Sequence, residues 1–242
     1  MVSAAIALPM PLLAKHFPRA VAVQAEREII LTHAGKFGDM LYCLPIAAWL
    51  ARQRGAQIHW VLPECFGPFR YISRLLMRQS LTSRVSLVPF KVENYDCGGQ
   101  PYHFNPADYG YEGEYYNLGF RHYPTTFLPR FYAEEHGFGY DPHYTLDIGM
   151  AGLMGTDEVL RSSEGRMTKL LPDIEPLPTA IDLLTLARRI ACAREFHSWF
   201  CGLAVLCWFA RIPAYVYRMP GHASLDTYFP EGRTLTFREV TG

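Results

Sequence analysis

The chain begins to alternate between apolar and polar blocks at Glu28. Ile29-Ile30-Leu31 is an unbroken apolar run, as expected of a strand buried on both faces, and it leads through Thr32 into the turn His33-Ala34-Gly35-Lys36-Phe37-Gly38. From Asp39 to about Arg54, Leu41, Leu44, Ala48 and Trp49 fall near one face of a helix. Pro45 must either kink this helix or start its regular part, and Gly55 ends it. A second strand spans Gln57 to Leu62 and stops at Pro63. Residues Phe69 to Met77 read as helix, with Arg70, Arg74 and Arg78 along one side, and Val85 to Phe90 is a third strand. Strand and helix alternating at this spacing predict an α/β fold with a doubly wound parallel sheet and right-handed crossovers.

The alternation breaks at residues 91–145. This stretch is rich in Tyr, Gly, Pro and Asn, with Tyr102, Tyr109, Tyr111, Tyr115, Tyr116 and Tyr123 close together. A structureless loop of that length does not suit a compact domain, so short strands and a helix around Phe127 to His136 are expected, with a further strand over Tyr144 to Ile148. Gly149 to Gly155 is the candidate hinge, dividing an N-terminal lobe over 1–148 from a smaller lobe over 149–242. In the second lobe, Glu158 to Leu171 reads as irregular and carries Arg161, Arg166 and Lys169. Thr179 with Asp182 three residues on resembles a capping box for a helix reaching Ala193. Glu195 to His197 is a short strand, Ser198 opens a helix from Trp199 to Ala210, and Ala214 to Arg218 is the last strand.

Composition narrows the function. In 242 residues, 23 Lys and Arg balance 23 Asp and Glu, and this neutrality argues against a dedicated nucleic-acid binder. The hydrophobic half of the composition excludes a mainly disordered chain. Cys43, Cys65, Cys97, Cys192, Cys201 and Cys207 form no C-x-x-C pair, so reduced thiols, a cytoplasmic location and no metal site are expected. Met1 to Ala14 is apolar but lacks a basic start and is broken by Pro9 and Pro11, unlike a signal peptide. The longest apolar stretch, Trp199 to Phe209, is about half of the roughly 20 residues that span a bilayer.

The chemistry concentrates in His33-Ala34-Gly35-Lys36-Phe37-Gly38-Asp39, between a strand and a helix at the sheet edge where α/β proteins bind ligands. It is neither a phosphate-binding G-x-x-x-x-G-K-[ST] loop nor a G-x-G-x-x-G fingerprint. Gly35 and Gly38 let backbone approach a ligand, and Lys36 suits a phosphate as well as it suits solvent. His33 is either a strand-end residue or a ligand contact. Asp39 is either a first-turn acid favoured by the helix dipole or a general base.

The run H-x-G-x-x-G-D-x-x-Y-x-L-P from His33 to Pro45 resembles the N-terminal signature of family 9, heptosyltransferase-like glycosyltransferases. That resemblance implies a GT-B architecture of two Rossmann-like lobes with the active site between them, and Asp39 as base for the acceptor hydroxyl. In the second half, the order of helix, strand, turn, helix and strand is similar to the family's donor lobe. There Gly202 falls on the family's glycine, while Phe200, Cys201 and Val205 replace its acidic, Ser/Thr and His positions. Two complete lobes take roughly 250 to 350 residues, so the second is expected to be reduced. On this reading the donor contacts are Arg161, Arg166, Ser198, Gly202 and Arg218, with His33, Gly35, Lys36 and Gly38 on the acceptor side. The expected activity is metal-independent, inverting transfer of a sugar from a nucleotide sugar, the cosubstrate, to a hydroxyl of a glycan or small molecule, with no further cofactor. The alternative is a nucleotide- or nucleotide-sugar-binding or protein-interaction module of the same ancestry.

Overall fold

A computed structural model describes residues 27–33, 36–64, 67–89, 105–118, 125–178, 181–221, 225–230 and 234–240. The first sheet contains β1 (Glu28–Thr32), β2 (Gln57–Pro63), β3 (Thr82–Val88) and β4 (Tyr115–Asn117), all parallel in the order β3-β2-β1-β4. The chain steps outward from β1 to β3 and then returns to the other side of β1, so strand order reverses between β1 and β4. Where one continuous helix with a kink was an option, two form. α1 (Phe37–Leu41) and α2 (Leu44–Arg54) are separated at Tyr42–Cys43, and Pro45 stands in the first turn of α2, where its missing N–H costs nothing. Gly55 ends α2 in the left-handed conformation, φ +57°.

One face of this sheet, with Ile29, Leu31, Ile58, Trp60 and Leu62, packs on α2 and on α3 (Gly67–Arg78) through Ile46, Leu50, Ile72 and Leu75. On the other face Tyr109 and Tyr111, beside a 3-10 turn at Pro106–Tyr109, pack against Ile30, Val61 and Val88. Part of the tyrosine-rich segment is therefore wall material for a parallel sheet that must be covered on both faces. Tyr102 and Tyr123 lie outside the described residues. α4 (Leu128–His136) forms where helix was expected. Residues 144–148 form no strand. Leu146 N donates to Phe209 O (2.9 Å), a single bond between lobes in place of a ladder.

The second sheet contains β5 (Val159–Arg161), β6 (Glu175–Pro176), β7 (Glu195–Trp199), β8 (Ala214–Arg218) and β9 (Leu235–Glu239), parallel in the order β6-β5-β7-β8-β9. Its reversal of strand order falls between β5 and β7. The helices are α5 (Gly165–Leu170), α6 (Leu183–Cys192), α7 (Gly202–Ala210) and α8 (Leu225–Tyr228). Four expectations change here. The stretch read as irregular holds β5 and α5. The cap of α6 is Asp182, whose Oδ1 accepts from Thr185 N (3.0 Å), while Thr179 lies outside the described residues. β9 follows β8, so Arg218 does not end the last strand. Ser198 is inside β7 rather than at a helix start, because the β7–β8 ladder runs on through Trp199 and Phe200 N donates to Tyr217 O (2.9 Å).

The two lobes share one apolar core. Tyr42 packs edge-on against Phe209 (5.5 Å between centroids) and donates its hydroxyl to Tyr228 O (2.7 Å). Arg74 of α3 reaches Asp182 at 3.6 Å. Cys43, Cys192, Cys201 and Cys207 are thiols, whereas Cys65 and Cys97 lie outside the described residues. Among the described residues no helix is long and apolar enough to cross a membrane, and no group of three His, Cys, Asp or Glu side chains could hold a metal.

Candidate active site

Each sheet places its reversal of strand order, the usual ligand-binding crevice of an open α/β sheet, at the carboxyl ends of its strands. In the first lobe this crevice lies between the ends of β1 and β4, where His33, α1 and Leu118 meet. In the second it lies between β5 and β7, where Ser162 to Glu164 face Phe200 to Gly202. The two crevices are opposed. A Cβ added to Gly38 would stand 2.9 Å from Gly202 Cα, and one added to Gly202 would stand 2.5 Å from the ring of Phe37. Only glycine at both positions allows the ends of α1 and α7 to approach this closely.

Asp39 is in the first turn of α1 and half-buried, and Lys36 at the N-cap is exposed, with no side-chain cap bond. Gly38 is buried at the interlobe contact, and Gly35 lies outside the described residues. Burial, with the charge of Asp39 adding to it, holds the Tyr42 phenol and the Cys43 thiol well above their usual ranges, so both stay protonated. Asp39 is thus the charged group of this turn.

His33 does not line the cleft surface. It is 1% exposed, edge-on to Tyr132, with Nδ1 3.9 Å from Cys43 Sγ and Nε2 without a hydrogen-bond partner among the described residues. Burial pushes its imidazole down to about 4, against a weaker opposing contribution from Leu118 backbone. The buried ring is neutral in the folded protein but protonates near 6.5 when unfolded, so the unfolded chain binds the extra proton and stability falls as pH drops from 6.5 to 4. The linked loss is roughly 3 kcal/mol at 1.36 kcal/mol per unit. His59, lowered to about 4 by burial and then by Arg84, acts in the same sense. Urea unfolding at pH 7, 5.5 and 4 should show this loss, and His33→Gln should remove about half of it.

The donor-side residues separate into groups. Arg161, at the end of β5, is 4% exposed; its Nη1 donates to Thr168 Oγ1 (3.0 Å) and Ser162 O (3.3 Å). Its Nε has no partner, and no carboxylate pairs with it among the described residues. Arg166 lies over the Trp199 ring at 5.2 Å, and Lys169 is exposed in the last turn of α5. Arg218 is held by Glu239 (2.8 Å), away from the crevice. Ser198 is fully buried and donates to Trp199 O (2.8 Å), so its hydroxyl cannot cap α7. The cap position belongs to Cys201, which offers no side-chain bond to the helix.

Three residues were missed in the sequence reading. Phe37, Tyr71 and Glu164 line an interlobe cavity of about 370 Å³, together with Leu177, Leu186, Cys201, Gly202 and Leu203. Glu164 Oε2 is buried with no hydrogen-bond partner among the described residues. The Cys201 thiol faces Glu164 and the Ser198 hydroxyl, and burial, reinforced by that carboxylate, pushes it up to about 12. This thiol is not a nucleophile. Phe37 carried a signal as the bulky residue just before Gly38, whereas Glu164 carried none because its segment had no periodicity.

Two parallel α/β lobes whose crevices face each other define a GT-B-like fold, the fold of the heptosyltransferase-like glycosyltransferases. A family 9 glycosyl transferase from Veillonella parvula superposes with a TM-score of 0.57 at 12% identity, over 89% of this chain and 86% of that one. E. coli heptosyltransferase WaaC with ADP gives 0.52 at 14% identity, over 89% and 94%. E. coli ADP-heptose lipopolysaccharide heptosyltransferase II gives 0.50 at 11%, over 88% and 90%. No protein-family model and no curated protein matches the sequence. The likeness is therefore one of fold.

Proposed function

We propose that this chain is a glycosyltransferase that moves a sugar from a nucleotide-activated donor to an acceptor hydroxyl, with the lobes divided near Gly149 to Gly155. The observation that carries this reading is the opposition of the two crevices, with Asp39 on α1 facing the half of the molecule that bears the unpaired Arg161. Relatives in fold take ADP and an ADP-heptose analogue, which makes a nucleotide sugar the natural donor class.

In the proposed step the Asp39 carboxylate accepts the proton of the acceptor hydroxyl as its oxygen bonds to the anomeric carbon. The bond from that carbon to the diphosphate breaks on the opposite face, inverting the centre and releasing a nucleoside diphosphate. Arg161 is the cation suited to the charge that develops on the leaving group, since a buried guanidinium without a carboxylate is costly until an anion meets it. No metal is required by this arrangement. The acceptor is a glycan or a small molecule.

A second reading, a nucleotide-sugar-binding module without transfer, is favoured by one observation. The Phe37 ring covers Gly202 at the end of α7, and Phe200, Cys201 and Val205 provide no polar replacement for a diphosphate contact. A thermal-shift panel of nucleotide sugars, followed by assay of nucleoside diphosphate release with candidate acceptors, distinguishes the two. At 100 times Kd a bound donor should stabilise by about 2.7 kcal/mol, or roughly 5–10 °C in Tm. A shift with release supports the enzyme, a shift without release the module, and no shift with any nucleotide sugar overturns both.

A further inference from the structure

The interlobe cavity has a chemistry unlike a diphosphate site. Its walls are mainly apolar, with the Phe37 and Tyr71 rings on one side and Leu177, Leu186 and Leu203 on the other, and no Lys or Arg lines it. Its volume, about 370 Å³, is within the range of small-molecule pockets. Its charged group is Glu164, which brings a buried oxygen that accepts no hydrogen bond among the described residues. An unsatisfied buried carboxylate oxygen is destabilising, and a ligand that donates to it recovers that loss.

We propose that this cavity binds a compact apolar ligand carrying a primary amine, with the ammonium group donating to Glu164 and the hydrocarbon body against the leucines. The sign of the local charge decides the class of ligand. The start of α7 contributes about half a positive charge and is covered by the Phe37 ring, against a full negative charge on Glu164. The balance is negative, so an anionic head is repelled and an ammonium attracted. The two aromatic rings reinforce the preference, because their faces favour a desolvated cation. The location follows from topology, since Glu164 and Cys201 flank the crevice where strand order reverses between β5 and β7. The inference goes beyond sugar transfer and holds whether or not the chain transfers a sugar.

The test is calorimetry and thermal shift on the full chain at pH 7.5 with three probes of equal length: hexylamine, 1-hexanol and hexanoate. Hexylamine should bind at least about tenfold more tightly than hexanol, as expected for a hydrogen bond to a charged group, and hexanoate should give no shift. Glu164→Gln should bring hexylamine to within about threefold of hexanol while leaving hexanol unchanged. Ile181→Trp, at the cavity rim, should weaken both by about tenfold by filling the space, and Leu203→Phe reads the same filling if the tryptophan variant does not fold. The proposal is overturned if hexanoate binds as well as hexylamine, or if none of the probes binds. It is equally overturned if the amine preference survives Glu164→Gln, or if filling the cavity leaves binding unchanged.

Discussion

Asp39→Asn is expected to lower sugar transfer by about 10²- to 10⁴-fold while leaving donor binding and the fold in place. The amide has nearly the shape of the carboxylate but cannot take the proton of the attacking hydroxyl. The structural role of Asp39, a negative charge in the first turn of α1, is worth only about 0.3–1 kcal/mol, so Tm should fall by no more than about 4 °C. The two roles thus differ greatly in size and in readout. Nucleoside diphosphate release, measured beside a donor-binding isotherm and a melting curve, separates them. Full turnover in the Asn variant would remove Asp39 from the chemistry, and a large drop in Tm with unchanged turnover would leave it a purely structural acid.

Gly38→Ala is expected to destabilise the protein even though alanine is the better helix former. Relief of backbone entropy in a helix favours alanine by about 0.5–1 kcal/mol. Against that, the new methyl stands 2.9 Å from Gly202 Cα, a backbone atom that cannot swing away, and such overpacking costs about 1–3 kcal/mol. The net result is a Tm lower by roughly 1–8 °C, read by calorimetry. Gly202→Ala tests the reverse side of the same contact, where the clash is with the movable Phe37 ring, and its effect should be smaller. A stabilised Gly38→Ala would mean that the lobes separate at little cost and that the α1–α7 contact is not a fixed part of the fold.

Much of the fold was legible before any coordinates. β1, β2 and α3 stand out because apolar runs, an amphipathic arginine-bearing helix, Pro63 and Gly55 are local signals, and each acts within a few residues. β5 and β6 were not legible, because three- and two-residue strands have no periodicity and exist only through pairing with neighbours far along the chain. Ser198 shows the same limit at one residue. Its type favours a helix cap, but the β7–β8 ladder claims it for a strand and moves the helix start to Gly202.

The candidate site divides in the same way. The sequence by itself determined the alternation of strand and helix, the break at Pro45 and the acid at position 39 following a glycine, because propensity, φ restriction and turn chemistry are written into adjacent residues. Tertiary structure alone decided that Gly38 meets Gly202, that His33 is sealed in the core, that Arg218 is held by Glu239 and that Glu164 ends in a cavity. Those facts depend on how two separately wound sheets settle against each other. The free energy of that settling comes from apolar area shared by distant segments, and no local pattern in the chain encodes it.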